Sequence, residues 1–223
     1  NENEITYFKD CHAEPKCINK GIVFVKSSDK LHHEFFILKN DYIKQISHFN
    51  TSIVNKIDID IILDKYESGD CIIETPILLP KDYNKKFKYP LLIYIHGGPN
   101  SFEPLTIQNL MSARGQSCAI QLCQEGFIVA LPNYRGTRGY GEKHKQKVPH
   151  FSMEFSEFVC KDIRNCKRML LKKYSVNIDK VGLYGTSYGA QITGWIVGNS
   201  NEYHAACGIV GVSYDEGGYS VLQ

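Results

Sequence analysis

From Leu91 onward the apolar positions alternate between short unbroken runs and longer stretches of helical spacing. Leu91-Leu92-Ile93-Tyr94-Ile95 and Phe127-Ile128-Val129-Ala130-Leu131 are unbroken, the pattern of strands buried on both faces. Between them, Ser117 to Glu125 predicts a short helix, with Ser117 as N-cap and Gly126 as its stop. Glu154 to Tyr174 predicts a longer one, in which Phe155, Val159, Ile163, Cys166 and Leu170 recur at spacings of three and four and form one stripe. A strand through Val181 to Tyr184 follows, then a helix to about Asn199 and a strand from Ala206 to Val212. Strand and helix in alternation predict an α/β fold built on a parallel sheet.

The first 57 residues have a different texture. Gly21 to Lys26 and Glu34 to Lys39 are short β-runs separated by a polar turn at Ser27 to Lys30, and Ile43 to Phe49 is a weaker third. Such spacing suggests a meander or a propeller blade, and one blade cannot bury its faces alone. Residues 1–57 are therefore expected to be the C-terminal end of a larger propeller-like β domain, and residues 58–223 a second domain. At its start, Ile57 to Leu63 and Asp70 to Leu79 predict two strands split by a turn at Ser68-Gly69, and Pro80 to Pro90 a charged linker.

Composition changes this picture little. With 43% hydrophobic and 22% charged residues the chain has the balance of a globular protein, and a net charge of +2 gives no reason to expect nucleic acid or an acidic membrane as partner. Lys85, Lys86 and Lys88, and the stretch Lys143 to Lys147, read as solvated surface. No segment approaches the roughly 18 apolar residues of a membrane span or resembles a leader, although a chain that opens on Asn1 is expected to lack its true N-terminus. The eight cysteines do not fit zinc spacing: Cys11/Cys17, Cys118/Cys123 and Cys160/Cys166 all lack Cys-x-x-Cys. Cys118, Cys123 and Cys166 fall on predicted helix core faces and are expected to be buried thiols. No metal or cofactor is expected. A reduced, cytoplasmic compartment is favoured, with secretion left open by the sequon Asn50-Thr51-Ser52.

Chemistry enters at Val181-Gly182-Leu183-Tyr184-Gly185-Thr186-Ser187-Tyr188-Gly189-Ala190. An apolar strand that ends in Gly-x-Ser-x-Gly and passes into a helix is the nucleophile elbow of an α/β-hydrolase, with Ser187 as candidate nucleophile. Small residues must flank a serine on so tight a turn, and Gly185 and Gly189 supply them. The backbone N–H of Tyr188, at the helix start, is one candidate oxyanion donor. The second is Gly98, in His96-Gly97-Gly98-Pro99 at the end of another buried strand. His96 is expected to shape that loop and not to act as base, because α/β-hydrolases take their base from a loop near the C-terminus. Asn133 to Gly141 lacks the dinucleotide glycine spacing and reads, from its residues alone, as a surface loop rich in Gly, Arg and Tyr. His32-His33-Glu34 lacks the His-Glu-x-x-His pattern and reads as a polar strand end.

Three segments together carry a resemblance: the strand ending in His96-Gly97-Gly98-Pro99, the run Asn133-Tyr134-Arg135-Gly136-Thr137-Arg138-Gly139-Tyr140-Gly141, and the elbow Gly185-Thr186-Ser187-Tyr188-Gly189. In order and spacing they resemble the prolyl oligopeptidase family, above all its acylaminoacyl-peptidase and dipeptidyl-peptidase branch. The Tyr-Gly after the serine and the Asn-Tyr-Arg-Gly run set it apart from lipases and esterases. The likeness runs on through Trp195 and Val210, and Phe35 to Asn50 is similar to the last propeller strands of that family. The resemblance implies a β-propeller capping an α/β-hydrolase fold, and a serine peptidase that cleaves small peptides through an acyl-enzyme on Ser187, with oxyanion amides from Gly98 and Tyr188. It also implies a triad acid and histidine from later strands. Only 36 residues follow Ser187, and His204, Asp215 and Glu216 stand in the wrong order for Ser, acid, His. The sequence is thus expected to be a fragment with a truncated parallel sheet, lacking the triad Asp and His and inactive by itself. The alternatives are a carboxylesterase-like α/β-hydrolase and an inactive truncated product.

Overall fold

The computed structural model describes residues 11–28, 30–98, 101–111, 118–141, 144, 147 and 153–211. Among the described residues the strands form two sheets. The first is antiparallel in the order β1 (Cys11–Ile18), β2 (Gly21–Ser28), β3 (Leu31–Lys39), β4 (Tyr42–Gln45). Phe24 and Phe36 face each other across β2 and β3, both buried, with ring centroids 6.0 Å apart. Strand β1 was not evident in the hydrophobic pattern. It is an edge strand broken by a register shift between Ala13 and Lys16, where Glu14-Pro15 sits, and a proline inside a run argues against a strand except at such an edge bulge. The run Ile43 to Phe49 is strand only as far as Gln45, and a single helical turn, α1 (Thr51–Val54), follows.

Glu34, expected at a polar strand end, is buried inside this sheet. Its carboxylate accepts from Ser47 Oγ and from the backbone N–H groups of Phe49 (3.1 Å) and Asn50 (2.7 Å). Burial alone would raise its pKa, but these donors hold it below the ordinary value. Glu34 thereby ties residues 47–50 to the sheet.

The second sheet has the order β10-β9-β7-β8-β6-β5, from β5 (Ile59–Ser68), β6 (Cys71–Pro80), β7 (Tyr89–Ile95), β8 (Ile128–Ala130), β9 (Val176–Thr186) and β10 (Ala205–Ile209). The parallel expectation holds for β10, β9, β7 and β8, which alternate with helices. Strands β5 and β6 are antiparallel, so the sheet is mixed. The reason is local: Gly69 (φ +64°) closes a turn too short for a parallel return.

Period-two alternation sorts the sheet's side chains between two cores. Leu91, Ile93 and Ile95 of β7, Ile128 and Ala130 of β8, and Val181 and Leu183 of β9 face α4 (Met153–Lys173) and α5 (Tyr188–Gly198). Tyr94, Val129 and Tyr184 face the other way, onto α2 (Ile107–Met111) and α3 (Ala119–Gln124). The predicted stripe of α4 is the buried one: Val159, Ile163, Cys166 and Leu170 are fully enclosed, while the Phe155 side chain lies outside the described set. Each enclosed aliphatic side chain contributes about 1.5–3 kcal/mol. Cys123 and Cys166 are buried as expected, and Cys118 is not. Cys118 occupies the position before α3 with φ +44°, which turns its side chain outward; Ser117, the expected cap, lies outside the described residues. Gly126 ends the helix as expected, with φ +94° and its N–H donating to the Cys123 carbonyl at 3.0 Å.

Candidate active site

Strands β7 and β9 run side by side with Ile95 opposite Gly185, so both deliver their next residues to one sheet edge. Ser187 leaves β9 there, and its N–H donates to the Ile209 carbonyl of β10 (2.9 Å). Its backbone sits at φ 54°, ψ −121°. A side-chain-bearing residue in that region stores roughly 1–3 kcal/mol and persists only when its surroundings over-determine it. They do: the Ser187 carbonyl accepts from the N–H groups of Ala190 (2.9 Å) and Gln191 (3.3 Å), which starts α5 at once. Close approach of α5 to the sheet depends on two glycines. A Cβ on Gly189 would lie 1.8 Å from the Ile95 carbonyl oxygen, and one on Gly185 would lie 2.3 Å from that of Gly189. Ser187 is left exposed beside buried Tyr188, whose N–H belongs to the helix N-terminus, where the backbone dipoles favour an anion.

The loop after β7 meets this serine. A Cβ placed on Gly97 would be 3.2 Å from Ser187 Cβ and 3.8 Å from its Oγ. Gly98 follows on the exposed side with φ +128°, and Pro99 lies outside the described residues. Beneath the loop, His96 is 1% exposed. Its ring stacks on Tyr134 with centroids 4.1 Å apart and planes 13° apart. Nδ1 lies 2.8 Å from the Gly97 carbonyl, which can only accept, so Nδ1 carries the proton. Nε2 faces Thr137 Oγ1 at 3.0 Å. Burial lowers the pKa to about 4 against the opposing pull of the Gly97 carbonyl. A neutral, buried imidazole with Nδ1 donating to the Gly97 carbonyl shapes the loop, and neither of its nitrogens is hydrogen-bonded to Ser187 Oγ.

The run Asn133 to Gly141 is not a surface loop. Asn133, Tyr134, Arg135 and Thr137 are buried, and only its far end around Arg138 is exposed. The Tyr134 hydroxyl donates to the His96 carbonyl at 2.8 Å. Asn133 Oδ1 accepts from the Glu103 N–H (2.9 Å), and its Nδ2 donates to the Glu103 carbonyl (3.2 Å). Arg135 makes a two-pronged ion pair with Asp162 of α4, Nε to Oδ2 at 2.9 Å and Nη2 to Oδ1 at 2.8 Å, and donates to the Ser68 carbonyl at 3.0 Å. This pairing is what buries the arginine and overturns the surface reading. Sequence pattern missed Asp162 because it looks like a polar gap between Val159 and Ile163. Glu103 was missed as well. It is buried, its carboxylate accepts from Asn109 Nδ2, and burial pushes its pKa up to about 8 against that donor, so it is protonated at neutral pH.

Other candidates stand apart. His204 is exposed, and its backbone N–H donates to the Val181 carbonyl at 2.8 Å. Asp215 and Glu216 lie outside the described residues. Among the described residues no histidine or carboxylate is hydrogen-bonded to Ser187 Oγ, and no group of three or more His, Cys, Asp or Glu could hold a metal ion.

The sequence model of the prolyl oligopeptidase family matches residues 115–220. Dipeptidyl-peptidase 5 of Porphyromonas gingivalis is 29% identical over 132 residues, 59% of this chain and 18% of that protein. The acylamino-acid-releasing enzyme of Mus musculus is 27% identical over 144 residues, 65% of this chain and 18% of the mouse protein. The fold is similar to that of Pyrococcus horikoshii acylaminoacyl peptidase, with TM-score 0.79 at 20% identity, over 94% of this chain and 32% of that one. A puromycin-hydrolyzing peptidase of Mycobacterium tuberculosis superposes with TM-score 0.72 at 14% identity, over the same shares. These matches show an α/β-hydrolase fold. The chain spans less than a fifth of the relatives' length and about a third of the solved chains.

Proposed function

We propose that this chain, which belongs to the prolyl oligopeptidase family, carries the nucleophile and oxyanion donors of a serine peptidase acting on short peptides. Ser187 Oγ attacks the scissile carbonyl to form an acyl-enzyme, and the N–H groups of Gly98 and Tyr188 receive the developing oxyanion. In this reading the imidazole base and its acid lie outside the described residues. One observation supports it above all: Ser187 is held at φ 54°, ψ −121° on a strand-to-helix turn, so close to Gly97 that a Cβ there would lie 3.2 Å from Ser187 Cβ. The names of the relatives, a dipeptidyl-peptidase and an acylamino-acid-releasing enzyme, support a short peptide as substrate, as does a similar peptidase solved with Z-Gly-Gly-Phe-chloromethyl ketone.

The test is a fluorophosphonate probe applied to the full-length protein. Labelling at Ser187 that Ser187→Ala abolishes is the expected result, and an unlabelled serine in folded protein overturns the proposal. Peptide anilides should turn over. Turnover of p-nitrophenyl esters alone would move the reading to a carboxylesterase.

A further inference from the structure

Between the outer sides of α4 and α5 lies a groove of about 430 Å³, a volume within the range of small-molecule sites. It stands apart from the reacting serine. Trp195, its wall on α5, comes eight positions after Ser187, about 12 Å along a helix. We propose that this groove binds a small aromatic carboxylate, with the ring against Trp195 and Phe158 and the carboxylate on Lys161, Arg164 and Arg168.

Charge carries the first half of the argument. Lys161, Arg164 and Arg168 recur at spacings of three and four, so they share one face of α4. Like charges so placed repel along a helix, and a bound anion relieves that repulsion. Glu157 is the one acidic residue of the described lining, which leaves the groove with a net positive charge. The partners these cations already have leave room for another. Arg168 Nη1 donates to Asn165 Oδ1 at 3.0 Å, a neutral acceptor. Glu202 brings a carboxylate near, but it is shared. Its Oε2 is 3.5 Å from Lys167 Nζ, and its Oε1 is 3.9 Å from Arg164 Nε, beyond hydrogen-bond distance. Arg164 Nε is therefore buried without an acceptor among the described residues. Its side chain is 36% exposed, and a partly desolvated guanidinium attracts a carboxylate more strongly than a fully solvated one.

The aromatic residues carry the second half. Phe158 is 45% exposed, and the Arg135 guanidinium lies 5.1 Å from its ring centroid. Trp195 packs partly against the core and lines the groove with the rest of its indole. Both rings are thus held by packing before a ligand arrives, which reduces the ordering cost of binding. A neutral hydrocarbon would bury the rings and leave the cations unanswered. An inorganic anion would do the reverse. A carboxylate on an aromatic ring meets both halves of the lining.

The experiment titrates 3-phenylpropionate into the full-length protein by calorimetry, with 3-phenylpropanamide as the uncharged counterpart. Saturable binding of the carboxylate is expected, with the amide at least about 10-fold weaker. Lys161→Gln and Arg168→Gln should each weaken the carboxylate roughly 3- to 10-fold. Lys161 and Arg168 are exposed, so these variants keep the fold. Trp195 is the sole tryptophan of this sequence, and its emission, taken as wild type minus Trp195→Phe, should change and saturate over the same concentrations. Absence of saturable binding to folded wild type overturns the proposal. Equal affinity for carboxylate and amide overturns it as well, as does binding that neither glutamine variant weakens.

Discussion

The Ile95 carbonyl oxygen occupies the place a side chain on Gly189 would need, 1.8 Å from its Cβ position. That contact joins the end of β7 to the first turn of α5, and so sets the distance between the Gly97-Gly98 loop and Ser187. Neither partner can yield, because one is backbone inside a buried strand and the other is backbone inside a helix. Gly189→Ala should therefore destabilise the protein by about 3 kcal/mol or more. Gly194, on the exposed side of the same helix, has nothing within 4 Å of its Cβ position. Gly194→Ala should stabilise by roughly 0.5–1 kcal/mol through helix propensity alone. Denaturant melts of the two variants test the pair. Equal effects would mean that helix propensity, and not the approach to Ile95, governs both positions.

Arg135 and Asp162 are each almost wholly withdrawn from water, with side chains 6% and 0% exposed. Their geometry is two-pronged, and the Arg135 N–H also donates to Asp162 Oδ2 at 3.0 Å. Removing one partner strands the other charge in the interior. Asp162→Ala should lower stability by about 3–5 kcal/mol. The double variant Asp162→Ala/Arg135→Ala should be destabilised by clearly less than the sum of the two single changes, because no orphaned charge remains. Additive losses in a double-mutant cycle would show that the pair is not coupled.

These two contacts mark where the sequence was legible. Leu91 to Ile95 and the Val159-Ile163-Cys166-Leu170 stripe could be found from the chain alone, because burial imposes a local period on the residues themselves. The elbow was legible because its strand, glycines and serine are contiguous. Arg135 and Asp162 are 27 positions apart, and the charge of each reads as solvent until the other is brought to it. The Pro15 bulge hid β1 by breaking its alternation. The antiparallel β5–β6 pair follows from its short turn, and the strand-helix alternation that implies a parallel sheet begins only after it, at Leu91. Cys118 was assigned by helical spacing to a core face, but it precedes the first helical residue and the spacing does not apply.

Glu103 offers a titration with a defined sign. In the folded chain burial raises its pKa from 4.5 to about 8 against the opposing Asn109 Nδ2 donor, with Tyr94, Tyr134 and Tyr184 nearby. Between those two values the folded state holds a proton that the unfolded state has released. Stability attributable to this group must then fall as pH rises from about 4.5 to about 8, and level off above. His96 runs in the opposite direction: with its pKa lowered to about 4, the folded state holds fewer protons than the unfolded state up to pH 6.5, and stability rises with pH there. The two trends mask each other in wild type. Glu103→Gln separates them, since glutamine keeps an oxygen to accept from Asn109, never ionises, and leaves His96 unchanged. The stability of Glu103→Gln relative to wild type should increase steadily from about pH 5 to about pH 8 and then hold constant. Urea unfolding at unit steps of pH measures that difference directly. A difference that does not vary with pH would mean that Glu103 ionises in the folded protein as readily as in the unfolded chain.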